Sequence, residues 1–422
     1  MTILFVMDSY GLLNNGTSST AQRFANELRK RGNIVRILGV ESPETSNDPY
    51  YYGLKKFYFP IFQPLIDKQG FAFAKCDDVK KIVEAIKGCD IVHLFLPFPL
   101  ENRARIIAQS LKVPVTTAFH LQCEDITYSA NLGHVKFINR ALYRFFYLYF
   151  YQYIRHVHCP SLMMAKTLKK YGYKNNVCHV ISNGVSGFFK PIKADKPVEF
   201  KDKFVILMIG RLSKEKRQDV LIKAIKYSKY NDKIQLILCG QGPTLNKLQH
   251  LSTKCLKNPL LVRFVKQEEL RNIINYSDLY VHASDIESEA IACIEAFTCG
   301  LVPVISNNPN SATNQFALDK VCLFKHGNYK DLAKHIDYFI EHPEIKEELS
   351  KKYLDYSKKF RLEAQVKALE NVFKLAINEH KEGKDLIVVK PSKFNEFKMK
   401  KIKKIIAKEF NFNIDDFAKI EK

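Results

Sequence analysis

The sequence predicts an α/β fold made of two halves, each organised by a parallel sheet. Three observations carry that expectation. Short apolar runs alternate with stretches of helical spacing, the rhythm of parallel βα units. That rhythm restarts after "VISNGVSGFFKP" at 180–191. The chain also has 422 residues, more than one hydrophobic core usually organises.

Taken in order, "TILFVM" (2–7) reads as the first strand and is followed by a glycine-containing loop. "TAQRFANELRKRG" (20–32) spaces Ala21, Phe24, Ala25 and Leu28 for one helix face and closes on Gly32. "IVRILGV" (34–40), "DIVHLFLP" (90–97) and "VPVTTAFH" (113–120) are three further strands. In the second half, "FVILMIG" (204–210) is a strand and "RQDVLIKAIKYS" (217–228) a helix. "IQLILCG" (234–240), "LVRFV" (261–265), "LYVHAS" (279–284) and "LVPVIS" (301–306) follow as strands. Residues 345–380 look helical and charged. The domains are expected at 1–185 and 186–375, with a Lys-rich tail over 376–422. Parallel sheets bind ligands at the carboxyl ends of their strands, and with two such domains those ends can face each other across a cleft.

Composition narrows the partners. Lys and Arg number 66 against 44 Asp and Glu, for a net charge of +22, which favours an anionic partner: a nucleotide-like ligand, a nucleic acid or an acidic membrane surface. No nucleic-acid-binding motif is present, and glycine-rich strand ends do not suit one. The ten cysteines form no C-x-x-C pair and lie in apolar runs, as reduced buried thiols do. The opening "MTILFVMDSYG" reads as a strand rather than a signal peptide, and no run reaches the length of a transmembrane helix. The expected location is therefore cytoplasmic. In the tail, "KFNEFKMKKIKKIIAKEF" sets Phe394, Phe397, Ile402, Ile405 and Ile406 among lysines, the pattern of a basic amphipathic helix on an anionic membrane or of a surface helix.

Several stretches could carry chemistry. Gly16, in "NNGTSST" (14–20), follows the first strand and opens a helix, where free N–H groups can receive an anion; a plain turn is the alternative. "GRLSKEK" (210–216) puts Arg211 and Lys216 at a strand end ahead of a helix, an arrangement suited to a diphosphate or to solvated basicity. Gly240 and Gly242 in "CGQGP" would permit close backbone approach, with Pro243 starting a helix. "ESEAIACIEAF" (287–297) holds three carboxylates in an apolar run. Eight residues of helix turn about 800°, so Glu287 and Glu295 need not share a face. Glu287 in the loop can face a sugar and Glu295 a ribose, while the segment between them, with Ala290 and Ile291, offers helix N–H groups to phosphate; backbone capping of Glu295 is the alternative. In "TTAFHLQCEDITY" (116–128), His120 ends a strand, with Glu124 and Asp125 just beyond. It could orient a hydroxyl or be a buried, hydrogen-bonded histidine. "KFINRALYRFFYLYFYQYIRHVH" (136–158) mixes Tyr and Phe with Lys136, Arg140, Arg144 and Arg155, with Tyr147 at its centre. Helical spacing would make it apolar over most of its surface, for a membrane interface, an acceptor groove or a core.

With these residues in hand, the chain resembles the retaining GT-B glycosyltransferases of family 4. "GRLSKEK", "CGQGP" and the Glu-x7-Glu run "ESEAIACIE" followed by "AFTCGLVPVIS" carry the resemblance, supported by "RGNIVRIL" and "SNGV" (182–185), over residues 1 to about 375. "TAFHLQCEDITY" also looks like the segment found in bacterial enzymes that glucosylate diacylglycerol at the cytoplasmic membrane face. The resemblance implies two Rossmann-like domains facing across a cleft, the first for the acceptor and the second for the nucleotide-sugar. It implies that Arg211 and Lys216 hold the donor diphosphate, Glu287 contacts the sugar, Glu295 the ribose, Gly16 admits the phosphate, and His120 touches the sugar or helps the acceptor. Gly242, Ala290 and Ile291 would complete the donor site. Asp125, Arg140, Arg144 and Tyr147 would meet the acceptor or the membrane. The donor expected first is UDP-glucose, with no metal or other cofactor, and the acceptor a membrane lipid such as diacylglycerol. Surface-polysaccharide synthesis by the same family and a sugar-nucleotide epimerase are alternatives. Two departures stand out. "ESEA" (287–290) replaces a common "E-G-F-G", which sets Glu289 beside the expected sugar, and Arg217 replaces the glycine that usually follows the motif lysine.

Overall fold

The computed structural model describes residues 1–11, 16–42, 45, 47–60, 63, 72–129 and 136–385. They fall into two compact units, one formed by Met1–Ile181 together with the chain from Val366 onward, the other by Ser182–Gln365. The sequence reading drew its boundaries after residues 185 and 375; the units change over after Ile181 and after Gln365.

The first unit is a parallel sheet of seven strands in the order β3-β2-β1-β6-β7-β8-β9. Its strands are β1 (Thr2–Val6), β2 (Ile34–Val40), β3 (Tyr51–Leu54), β6 (Ile91–Leu94), β7 (Val115–Ala118), β8 (His156–Cys159) and β9 (Val177–Val180). A short antiparallel pair, β4 (Lys56–Phe57) and β5 (Phe73–Ala74), stands beside it. β1 is buried along Ile3–Val6 and β6 along its whole length, which is why these strands read as unbroken apolar runs rather than alternating ones. The helix after β1 runs over Gly16–Lys30, four residues earlier than the apolar spacing suggested, and buries Ala21, Phe24, Ala25 and Leu28 as expected. β3, β8 and β9 had no sequence expectation.

The stretch 136–158 is not one helix. It is helical over Lys136–Tyr149, makes a 3-10 turn over Tyr151–Tyr153, and enters the sheet as β8. The apolar composition is continuous, but His156–Cys159 is fully buried β-strand, with His156 opposite Val177 in β9. The helix Leu362–Lys381 completes this unit with its later turns. Val366, Leu369, Phe373 and Ala376 are buried, and Phe373 lies 5.3 Å from the His93 ring. Glu370 accepts from Arg31 at 2.8 Å and from the Asn33 amide, and Glu379 from Arg155 at 2.6 Å.

The second unit is a six-stranded parallel sheet, β12-β11-β10-β13-β14-β15. Its strands are β10 (Phe204–Ile209), β11 (Ile234–Cys239), β12 (Leu261–Arg263), β13 (Leu279–His282), β14 (Pro303–Asn307) and β15 (Leu323–Lys325). Each strand predicted in this half is present, with boundaries shifted by one or two residues. In both units the chain leaves the first strand in one direction and later returns to its other side, so order reverses between β1 and β6 and between β10 and β13. Such a reversal opens a crevice at the carboxyl ends of the two central strands, the usual place for a ligand in a parallel sheet.

Candidate donor site

The crevice of the second sheet is where the basic and acidic motifs meet. β10 ends at Ile209, and the loop Gly210–Arg217 carries Arg211 and Lys216. β13 ends at His282, and the loop to the helix Ile291–Thr298 carries Glu287. The Lys216 Nζ lies 2.5 Å from Glu287 Oε1, so residues 71 positions apart in sequence form one ion pair. Burial alone would raise the Glu287 carboxyl. The Lys216 charge and a hydrogen bond from His282 overturn that and hold it well below the usual carboxylate range.

The loop around Glu287 is fixed at several points. Its carbonyl accepts from Ala312 N–H at 2.9 Å, and Glu287 bridges to Ser311 in a parallel sense. Upstream, Asp285 N–H donates to Glu215 O at 2.7 Å and Asp285 O accepts from Asn308 at 2.8 Å. The Arg217 guanidinium reaches Asp285 at 3.2 Å and Asp219 at 3.1 Å, tying the loop after β10 to the loop after β13. Arg211 is exposed at the same strand end.

Glycine is required in "CGQGP" because the loop packs on backbone. A Cβ on Gly240 would sit 2.0 Å from Gly210 O, and one on Gly242 would sit 2.3 Å from Leu212 O. The close approach expected of Gly242 is thus made to the Gly210–Leu212 segment, locked by Leu212 N–H to Gln241 O and Thr244 N–H to Leu212 O, both 3.0 Å. Pro243 precedes the helix Leu245–Cys255 by two residues.

Of the three positions where the resemblance implies glycine, Ala290 and Arg217 fall on left-handed backbone and Ser288 does not. Ala290 caps the helix at φ 69° and Arg217 precedes the helix Gln218–Tyr227 at φ 56°. Glu289 lies between Ser288 and Ala290. It is buried, 1% exposed, and its Oε2 accepts from Asn183 N–H at 2.9 Å, which ties it to the "SNGV" segment. Ile291 opens the helix, and Glu295, 8% exposed, lies within it. His282 was missed by the sequence reading. Its place inside the strand "LYVH" hid it, although it ends that strand as His120 nearly ends its own.

In the first unit, Gly16 opens the helix after β1, and a Cβ there would meet nothing within 4 Å. His120 lies two residues beyond β7 and is buried, with its Nε2 unpartnered among the described residues. Its ring stacks on Phe95 at 6.0 Å and meets His158 edge-on at 5.2 Å. Burial first, and His158 second, push its imidazole well below the usual histidine range, so it is neutral. Glu124 accepts from the Tyr143 hydroxyl at 2.6 Å, and Asp125 sits half-buried in the helix Cys123–Ser129.

The helix Lys136–Tyr149 buries only Asn139 and Tyr143 among its described side chains. Its outward face carries Arg140 and Arg144 with Phe137, Phe145 and Leu148, which are 78%, 54% and 47% exposed. At about 100° per residue these five span roughly 140° of the helix. Tyr147 turns inward against Tyr173, 4.9 Å away. No described helix is long and apolar enough to cross a membrane, and no cluster of three or more metal-ligating side chains occurs among the described residues.

Two parallel α/β units, the second with a cation–carboxylate pair at its strand reversal, define a GT-B type of glycosyltransferase. The chain belongs to the family described as Glycosyl transferases group 1, whose model matches residues 176–390; that of Glycosyltransferase Family 4 matches residues 14–186. Among curated relatives, the alpha-monoglucosyldiacylglycerol synthase of Streptococcus pneumoniae is 25% identical over 85% of this chain and 82% of its own length. Among solved structures, HepE of Anabaena in complex with UDP-glucose is 16% identical with a TM-score of 0.68, covering 89% of this chain and all of that one (100%). The catalytic domain of cholesterol-alpha-glucosyltransferase from Helicobacter pylori is 45% identical over 37% of this chain and 98% of its own, with a TM-score of 0.36.

Proposed function

We propose that this glycosyltransferase moves a hexose, glucose from UDP-glucose in the first instance, with retention, to the hydroxyl of a membrane lipid such as diacylglycerol, working from the cytoplasmic face of the membrane. The observation that carries the donor half is the Lys216–Glu287 pair at the β10/β13 reversal. In glycosyl transfer the sugar carbon becomes positive while the departing diphosphate gains negative charge. Lys216 and Arg211 are the groups that would meet the diphosphate and stabilise that charge, an effect typically worth about 3 kcal/mol per well-placed contact. Glu287 is held ionised and would present its carboxylate to the sugar. Glu295 would take the ribose hydroxyls, Gly242 would keep the loop after β11 close to the site, and the segment Ala290–Ile291 would turn helix N–H groups towards phosphate. Gly16 would admit the donor phosphate, and neutral His120 would contact the sugar or orient the acceptor hydroxyl. No metal or other cofactor has a part in this scheme.

The lipid half is supported by the exposed face of the helix Lys136–Tyr149. Aromatic and aliphatic side chains interleaved with arginines suit the interface of an anionic bilayer. The similarity to the Streptococcus alpha-monoglucosyldiacylglycerol synthase points to the same kind of acceptor, with Asp125 and Tyr147 close in sequence to this face. The test is mass spectrometry of products formed from UDP-glucose, UDP-galactose or GDP-mannose with vesicles containing diacylglycerol, a sterol or a lipid-linked sugar. The proposal expects a hexosylated diacylglycerol from UDP-glucose. A product only on the sterol or the lipid-linked sugar would overturn the acceptor, and one only from another donor would overturn UDP-glucose.

A further inference from the structure

Beneath Glu287 lies a hydrogen-bonded chain that the proposed transfer does not yet use. His282 Nε2 is 3.0 Å from Glu287 Oε1, and the Tyr280 hydroxyl is 3.0 Å from His282 Nδ1. Both side chains stand on β13 and are buried, His282 at 2% and Tyr280 at 0% exposure.

The chemistry of the partners fixes where the protons sit. The ionised carboxylate only accepts, so Nε2 of His282 carries the hydrogen and donates. In the neutral imidazole Nδ1 is then the acceptor, and the Tyr280 hydroxyl donates to it. Were the tautomer reversed, a nitrogen lone pair would face a carboxylate oxygen in a buried site, at the cost of an unmade charge-assisted hydrogen bond. Tyr280 thus sets the tautomer of His282, and His282 sets the rotation of Glu287. Lys216 and His282 both land on Oε1. Both contacts are therefore made to one oxygen of the carboxylate, and neither uses Oε2.

We infer that His282 is a positioning residue for Glu287, locked in its donor tautomer by Tyr280, and that it orients the carboxylate towards the donor sugar while Lys216 remains able to turn to phosphate. This rests on the reading of Glu287 as the sugar-contacting group. It also explains how Lys216 can serve the diphosphate without releasing Glu287. When the lysine shifts, the hydrogen bond from His282 still holds the carboxylate in place.

The experiment compares steady-state transfer by the full chain carrying His282→Phe, His282→Gln, Tyr280→Phe or Glu287→Gln, with thermal midpoints recorded for each. At metal sites, loss of the partner that orients a ligand typically costs about 10- to 100-fold, and the same scale is expected for a partner that orients a reacting carboxylate. His282→Phe keeps the ring volume and removes the donor, so kcat should fall about 10- to 100-fold with the donor KM changed less than about threefold. His282→Gln can donate from its amide and should recover most of that loss. Tyr280→Phe, which frees the tautomer while keeping the ring, should lower kcat by a smaller factor. A His282→Phe enzyme with wild-type kcat, or a folded His282→Gln enzyme as impaired as His282→Phe, overturns the inference. If His282→Phe does not fold, an unchanged kcat in Tyr280→Phe overturns it equally. Glu287→Gln separates the two claims. Wild-type turnover there removes the sugar-contact reading itself, whereas a dead Glu287→Gln beside an unaffected His282→Phe removes only the positioning role.

Discussion

At the scale of single residues, backbone strain and buried charge make the sharpest predictions. Ala290 adopts φ 69°, a region that costs an L-residue with a Cβ about 1–2 kcal/mol and a β-branched one more. Ala290→Gly should therefore leave the thermal midpoint unchanged or slightly higher. Ala290→Val should destabilise by about 2 kcal/mol or more, measured by denaturant unfolding. Equal stability of the two variants would show that the left-handed turn is not held in solution. In the first unit, Asp8 is fully buried at the end of β1, with Oδ1 accepting from Ala74 N–H at 2.7 Å and Glu101 as a second buried carboxyl nearby. Burial pushes the Asp8 carboxyl up to about 7 from an ordinary 3.8. The folded state keeps a proton that the unfolded chain has released, so this stabilisation is full below pH 3.8 and is lost as pH rises to about 7. Asp8→Asn cannot ionise. It should gain stability over wild type at pH 8 and lose that advantage by pH 4. A pH-independent difference between the two would contradict the burial argument.

At the scale of elements, what was legible in the sequence follows from periodicity, and what was not follows from its absence. The central strands β10, β11, β13 and β14 announced themselves because they are buried along most of their length and bounded by turn residues, whereas the edge strand β15, with one buried residue, did not. β8 escaped because "HVHC" adjoins the Tyr/Phe-rich run of the preceding helix without a Gly or Pro between them, so composition could not mark where helix gave way to strand. The left-handed backbone at Arg217 and Ala290 was foreshadowed by the glycines that the family resemblance implies there, whereas the burial of Glu289 was not, since it accepts from a backbone amide 106 positions away. The same holds for Lys216 and Glu287. Each motif was readable, but their meeting follows from the order of strands. The helix Lys136–Tyr149 makes a prediction of its own. Near an anionic surface each basic side chain contributes about 1 kcal/mol of attraction. Arg140→Glu with Arg144→Glu should thus weaken pelleting with phosphatidylglycerol vesicles at least tenfold and leave binding to neutral vesicles little changed. Undiminished pelleting would remove this face from the membrane reading.

At the scale of the whole molecule, two sheets of the same construction offer two crevices with different chemistry. In the second unit the crevice gathers Lys216, Arg217, Asp285 and Glu287, a charged site. In the first unit, buried His120 and His158 come together with Phe95 and Phe24 near the ends of β7 and β8, a largely aromatic group. That division was legible early, because "GRLSKEK" and the Glu-x7-Glu run both lie in the second half and His120 in the first. The Lys-rich segment 393–410 lies outside the described residues, so its expected amphipathic helix stays an expectation. The net charge of +22 suits an enzyme that handles an anionic donor and meets an anionic surface, but it does not say where either binds.

The central claim is that a nucleoside diphosphate is gripped at the β10/β13 reversal by Lys216. It is tested most directly by calorimetric titration of UDP and of uridine into wild type and Lys216→Ala. Losing one cation from a diphosphate site should weaken UDP at least tenfold while uridine affinity stays the same. UDP bound equally by both proteins would contradict the account.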